Sequence, residues 1–154
     1  MRVHVGSDHA GFELKGLVAA RLTELGHEVV DHGALRYDPE DDYPSFCLAA
    51  AQAVVDDPGS LGVVIGGSGN GEQIAANKVD RVRAALAWST ETATLARQHN
   101  NANVISVGAR MHDAETALGF VVTFLDTAFS HDPRHQRRIG QLAAYENSGR
   151  PDPA

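Results

Sequence analysis

A continuous apolar run, Leu61 to Ile65, passes directly into Gly66-Gly67-Ser68-Gly69-Asn70-Gly71, four glycines in six residues. A run apolar at every position suits a strand buried on both faces, as in a parallel sheet. Glycines at its end cost backbone entropy and pack nothing. Such a stretch is useful where backbone must come close to a ligand.

The rest of the chain alternates between short runs and helical spacing. Residues 2–6 alternate and are partly β-branched, which predicts a first strand. Ser7-Asp8-His9-Ala10-Gly11 turns into a helix carrying Leu14, Leu17, Val18, Leu22 and Leu25, ended by Gly26. Residues 28–32 read as strand two and 33–42, acidic and holding Pro39, as a loop. A helix follows over 44–55, stopped at Asp56-Asp57-Pro58-Gly59. Beyond the glycine loop the pattern predicts a helix over 72–78, strand four over 82–88, a helix over 90–98, strand five over 104–107 and a helix over 114–125. The last helix has Asp132 as N-cap and Pro133 as first residue, and runs to about Tyr145. The tail from Ser148 reads as disordered, leaving residues 1–147 as a single domain.

Alternating strands and helices call for an α/β fold, a Rossmann-like three-layer sandwich. Its mainly parallel five-stranded sheet would carry helices on both faces. Ligands of such sheets bind beyond the carboxyl ends of the strands. Asp8-His9, the glycine loop and Gly108-Ala109-Arg110 all fall there, while His99 and Asn100 fall at a helix end before strand five.

Net charge of -7 argues against nucleic-acid or anionic-membrane partners, which want a basic face. No apolar run is long enough to span a bilayer, and no leader pattern precedes the first strand. The single cysteine, Cys47, cannot pair internally, which fits a reducing cytoplasm.

The loop fails the common nucleotide fingerprints. Counting from Gly67 or Gly69, the third glycine of a dinucleotide site is replaced by Glu72 or Ile74. A P-loop would need Lys and then Ser or Thr after Gly71, where Glu72 and Gln73 stand. The loop amides therefore suit a small oxyanion, with Glu72 close to the reacting carbon. Glutamate in a first helical turn is also favoured by the dipole alone, by about 0.3–1 kcal/mol.

The other candidates each have a plain structural use as well. Asp8 can cap the first helix. A phosphoacceptor role for it would want a second acid beside it and an aspartate ending strand three, where Gly66 stands. His99 and Asn100 can close a helix, or transfer a proton at a sugar ring oxygen and bind an enediolate oxygen. Arg134 and Arg138 share a helix face, and Arg137 lies between them. Solvated arginines are common, but their forks match phosphate, and Arg110 could join them. Eight histidines raise the question of a metal, yet there is no His-Glu-x-x-His and no thiolate cluster, so none is expected.

In order, the motifs are Ser7-Asp8-His9-Ala10-Gly11-Phe12-Glu13-Leu14-Lys15, Asp42-Tyr43-Pro44, Gly66 to Lys78, His99-Asn100-Asn101-Ala102-Asn103, Gly108-Ala109-Arg110 and Arg134-His135-Gln136-Arg137-Arg138. Together they resemble the type B ribose-5-phosphate isomerases, in the family that includes the galactose-6-phosphate isomerase subunits. The resemblance implies aldose–ketose isomerisation through a cis-enediolate, with no metal or other cofactor. Many members open the glycine loop with a cysteine base. Here Gly66 occupies that place and Glu72 is acidic where those members are apolar, which is similar to the actinobacterial-type branch with a glutamate base.

The resemblance assigns Asp8 and His99 to ring opening and Glu72 to the proton of carbon 2. Ser68 and the amides of Gly69 to Gly71, with Gly67 and Asn70 in the same loop, would hold the enediolate, as would Asn100. His9, Arg110, Arg134 and Arg138 would bind the phosphate, and Tyr43 would line the pocket. It also implies a homodimer with shared pockets. Competing functions are isomerisation of another phosphosugar (allose or galactose 6-phosphate, or a tetrose phosphate) and non-catalytic binding of an anionic metabolite.

Overall fold

The computed structural model describes residues 1–151. Five strands, β1 (Arg2–Ser7), β2 (Glu28–Asp31), β3 (Leu61–Gly66), β4 (Ala84–Leu86) and β5 (Val104–Gly108), form one sheet in the order β2-β1-β3-β5-β4. Every pairing is parallel. The helices are α1 (Phe12–Glu24), α2 (Tyr43–Asp56), α3 (Asn70–Ala76), α4 (Thr90–Asn100), α5 (Ala114–Asp126) and α6 (Pro133–Ser148). A short 3-10 turn, His9–Gly11, joins β1 to α1.

Right-handed crossovers decide which face each helix covers. The steps β1 to β2 and β4 to β5 go one way along the sheet, and β2 to β3 and β3 to β4 go the other. Helices α1 and α4 thus share one face with α5, and α2 and α3 share the opposite one. The core follows this division. Val5, Val63 and Ile105 lie in register across three strands, in one cluster with Val18 and Leu22 of α1 and Phe124 of α5. Val64 and Val104 join Cys47, Ala50, Ala51 and Val54 of α2 on the other face. Burying a side chain such as Leu22 or Phe124 contributes about 1.5–3 kcal/mol.

All five expected strands form, with some boundaries moved. Strand four covers Ala84–Leu86 rather than 82–88. Val82 is buried, but its amide donates to the Val79 carbonyl in a turn. Its apolarity reports burial and not a place in the ladder. Helix α3 starts at Asn70 and ends at Ala76, so Glu72 lies in its first turn. Asp132 caps α6 by accepting from the Arg134 amide at 2.9 Å. That helix runs past Tyr145 to Ser148 and closes on Gly149 in the left-handed region. The expected tail therefore begins in ordered helix, and its residues 152–154 lie outside the described residues. Among the described residues, no helix is long and apolar enough to cross a membrane.

Candidate active site

Three chain segments meet at the carboxyl ends of β1, β3 and β5. Backbone pairing continues past the strands, with the Ala109 amide donating to Gly66 O at 2.8 Å and Arg110 to Gly67 O at 3.0 Å. This ties Arg110 beside the loop. The buried Ser106 hydroxyl donates to Gly69 O at 2.7 Å and anchors the loop from beneath. Gly69 itself has φ of 83°, a conformation costly for other residues.

The loop and the first turn of α3 fold over each other. Glu72 is only 4% exposed. Its carboxyl occupies the space where a Cβ at Gly66 would stand, so a side chain at 66 would overlap Glu72 Oε1. The Tyr43 ring similarly fills the space beside Gly71. Burial pushes the Glu72 carboxyl above the ordinary glutamate range. The Glu72 and Gly69 amides oppose that shift, and the nearby charge of Asp8 adds to it. A carboxyl poised this way can accept a proton more readily than a solvated one.

Of the three amides expected to face an enediolate, the Gly69 amide thus also acts on Glu72. The Asn70 amide donates to Ser68 Oγ at 3.3 Å, and the Asn70 side chain reaches the same oxygen at 3.2 Å. Ser68 and Asn70 are exposed at the mouth.

Asp8 is buried after β1 and accepts from the Ala10 amide at 3.0 Å, so it does cap the turn. His9, next to it, is held by Asp41. One Asp41 oxygen accepts from the His9 amide at 2.8 Å and lies 2.9 Å from His9 Nδ1. The Asp41 hydrogen bond raises the His9 pKa above its ordinary value, burial opposes the rise, and the charges of Asp8 and Asp41 add to it. A cleft of about 500 Å³ is lined by Asp8, His9, Tyr43, Gly67, Ser68, Gly71, Glu72, Arg110 and Met111. The His9 imidazole, the Arg110 guanidinium, the buried carboxyls of Asp8 and Glu72 and loop backbone therefore converge on one small space.

Asp8, His9 and Asp41 also bring one potential ligand atom each within 4.8 Å of one another. They are a poor fit to a metal. His9 Nδ1 sits at hydrogen-bond distance from Asp41, leaving no room for an ion between the two.

The remaining expected residues lie elsewhere in the chain. Helix α4 returns from the carboxyl end of β4 to the amino end of β5, so His99 and Asn100 sit at the amino ends of the strands. The Asn100 carbonyl accepts from Arg83 Nε at 2.9 Å, just ahead of β4. Strand β3 alone carries the chain about 17 Å from that end to the glycine loop. His99 stacks on His135 at a centroid distance of 4.2 Å, and Arg134 Nε lies 3.2 Å from His135 Nε2. Arg138 follows one turn along α6. Within one chain, then, Arg110 does not join Arg134 and Arg138, and His99 does not meet Asp8.

The residue that sequence reasoning missed is Asp41. Its only linear sign is an acid placed directly before Asp42-Tyr43-Pro44.

A model of the Ribose/Galactose Isomerase family matches residues 3–142. The chain is 60% identical to ribose-5-phosphate isomerase B of Mycolicibacterium paratuberculosis, over 99% of this chain and 96% of that protein. A structure of ribose-5-phosphate isomerase B from Mycoplasma genitalium with bound ribulose-5-phosphate superposes with a TM-score of 0.91 at 39% identity, covering 96% of this chain and 97% of that one. Ribose-5-phosphate isomerase B of Clostridium thermocellum gives 0.90 at 38% identity, covering 97% and 100%. With its sheet order, its glycine loop and a match over nearly its whole length, the chain belongs to the ribose/galactose isomerase family.

Proposed function

We propose that this chain interconverts D-ribose 5-phosphate and D-ribulose 5-phosphate through a cis-enediolate. The observation that carries the mechanism is the Glu72 carboxyl, buried over Gly66 at a cleft that also presents His9 and Arg110. Glu72 takes the proton from carbon 2 of the aldose and returns it to carbon 1, as the glutamate base of the actinobacterial-type branch. Ser68, the Gly71 amide and the surrounding loop hold the oxyanion that develops between these steps. Asp8 assists ring opening. His9 and Arg110 bind the phosphate and Tyr43 forms a wall. The names of the relatives support the pentose over hexose or tetrose phosphates.

We further propose that the active unit is a homodimer of single-domain chains (residues 1–147). His99, Asn100, Arg134 and Arg138 of one copy would complete the cleft of the other. The support is that these four sit at the opposite end of the sheet from their own loop, while the resemblance assigns them to the same site. Trp88, Leu142 and Tyr145 are also exposed near edge strand β4. The reaction as written needs no metal, and a chelator should leave the rate unchanged. Cys47, buried and free, fits a reducing cytoplasm.

Glu72→Gln is the decisive variant. It should lower kcat by about a thousandfold and abolish exchange of the carbon 2 proton with solvent. Exchange at the wild-type rate would remove Glu72 as the base. A wild-type protein that exchanges no proton with ribose, allose, galactose or erythrulose phosphate would instead favour a binding module.

A further inference from the structure

Asp41 spends one carboxylate oxygen entirely on His9. That oxygen accepts from the His9 amide at 2.8 Å and faces Nδ1 at 2.9 Å, while the other oxygen is buried and has no partner. Two contacts to one residue fix both the backbone and the ring. The Asp41 side chain is only 11% exposed, so the contact is shielded from solvent.

The loop that carries Asp41 is anchored rather than loose. Buried Lys15 donates to both oxygens of Asp31, at 2.7 and 2.8 Å, and to the Ala34 carbonyl at 2.6 Å. The Ala34 amide donates to Ser7 O at 2.7 Å, and the Ser7 amide to Gly33 O at 2.9 Å, which lays the loop along the end of β1. Tyr37 of the same loop meets the His9 ring edge-on, with centroids 6.5 Å apart.

We propose that Asp41 is the positioning residue for His9. It clamps the amide and Nδ1–H and stabilises the imidazolium form of the ring, in which Nε2–H is also present and faces the cleft as a donor to a phosphate oxygen. A second-neighbour carboxylate of this kind selects the tautomer and orients the ring. The groups facing His9 are Asp8 on its own turn, Asp41 and Tyr37 on the loop, and Arg110 and Glu72 across the cleft. Of these, Asp41 is the one in direct contact with the ring nitrogen. The proposal rests on the phosphosugar reading of the cleft.

The test compares the full-length wild type with D41N and D41A. Asn keeps an acceptor for both contacts and removes the charge; Ala removes both. Nitrogen-15 NMR follows His9 through pH, with and without inorganic phosphate, and steady-state assays give KM for ribose 5-phosphate over the same range. In D41N the His9 midpoint should fall. KM should rise about five- to tenfold above that midpoint while kcat stays within about twofold. D41A should fall further, with a lost preference for the Nδ1–H tautomer. A His9 midpoint unmoved in D41N overturns the clamp, whether or not the isomerase assay succeeds. So does an effect confined to thermal stability and kcat, with the pH break of KM in place. If instead wild-type His9 does not shift on adding phosphate but still drops in D41N, the clamp stands and the phosphate role of the cleft fails.

Discussion

At the carboxyl ends of the sheet, Glu72 and Asp8 are buried and Asp41 nearly so, each within reach of groups from the same chain. At the amino ends, His99 is half-buried, and Asn100, Arg134 and Arg138 are exposed. The first region is complete because the sheet builds it: β1, β3 and β5 end side by side, and the pairing of Ala109 and Arg110 with Gly66 and Gly67 closes it. The second rests on helix ends, where the His99–His135 stack, the Ser130–His135 contact and the contacts of Arg134 with His135 and Asp132 order the side chains. One region is a pocket holding a desolvated carboxyl, and the other is a set of largely exposed donors at the far end of the sheet. On the proposed dimer, each region is one half of a site completed by the other copy of the chain.

Mixing two inactive variants is the strongest way to break that division. In a shared site, a hybrid of Glu72→Gln and His99→Ala subunits has one pocket with both changes and one with neither. Random mixing should then restore about a quarter of wild-type activity, because half the dimers are hybrids with one intact site each. If Glu72 and His99 served the same pocket in one chain, each hybrid pocket would carry one lesion and activity would stay absent. Assaying the two purified variants before and after unfolding, mixing and refolding separates these outcomes.

Within the first region, the pairing of Gly66 with Glu72 can be broken separately. A methyl at 66 would overlap the Glu72 carboxyl, so Gly66→Ala should displace it. A displacement of about an ångström costs roughly a hundredfold in kcat. The double variant Gly66→Ala, Glu72→Gln should be little worse than Glu72→Gln alone, since both changes act on one group. Additive losses would mean that Gly66 matters to the loop and not to Glu72.

The same two regions differ in how far they could be read from sequence. The run Leu61–Ile65 is apolar because both its faces are covered, and four glycines mark where the backbone turns at its end. Burial and turn chemistry are local, so strand, loop and first helical turn were all legible. Asp41 was not, because its partner is 32 residues away and an acidic loop looks like a solvated one. The buried Lys15–Asp31 pair was hidden for the same reason. Strand four was read too long because Val82 is buried in a turn. The distance of His99 from the loop was implicit in the topology: a crossover helix returns the chain to the amino end of the next strand. The resemblance placed these residues in one pocket shared between two copies, and within one chain the helix crossover keeps His99 away from Asp8.

A smaller effect measures what the desolvated base costs the fold. The Glu72 carboxyl is held above its ordinary pKa, mainly by burial. Between its unfolded and folded pKa values the folded chain binds more protons than the unfolded one. Stability therefore falls as pH rises through that window, and ionised Glu72 destabilises the native state at neutral pH. Glutamine has nearly the same shape and no charge to desolvate. Glu72→Gln should accordingly raise Tm by a few degrees at pH 7, and the gain should shrink as pH falls from the raised folded value toward the ordinary glutamate range, below which it is gone. At the other end of the sheet, His99→Asn changes a half-buried residue remote from Glu72 and serves as the control over the same pH range. Equal pH dependence in the two variants would remove the distinction between a strained, finished pocket and an open donor cluster. A gain unique to Glu72→Gln would show that this fold gives up stability to hold its base in place.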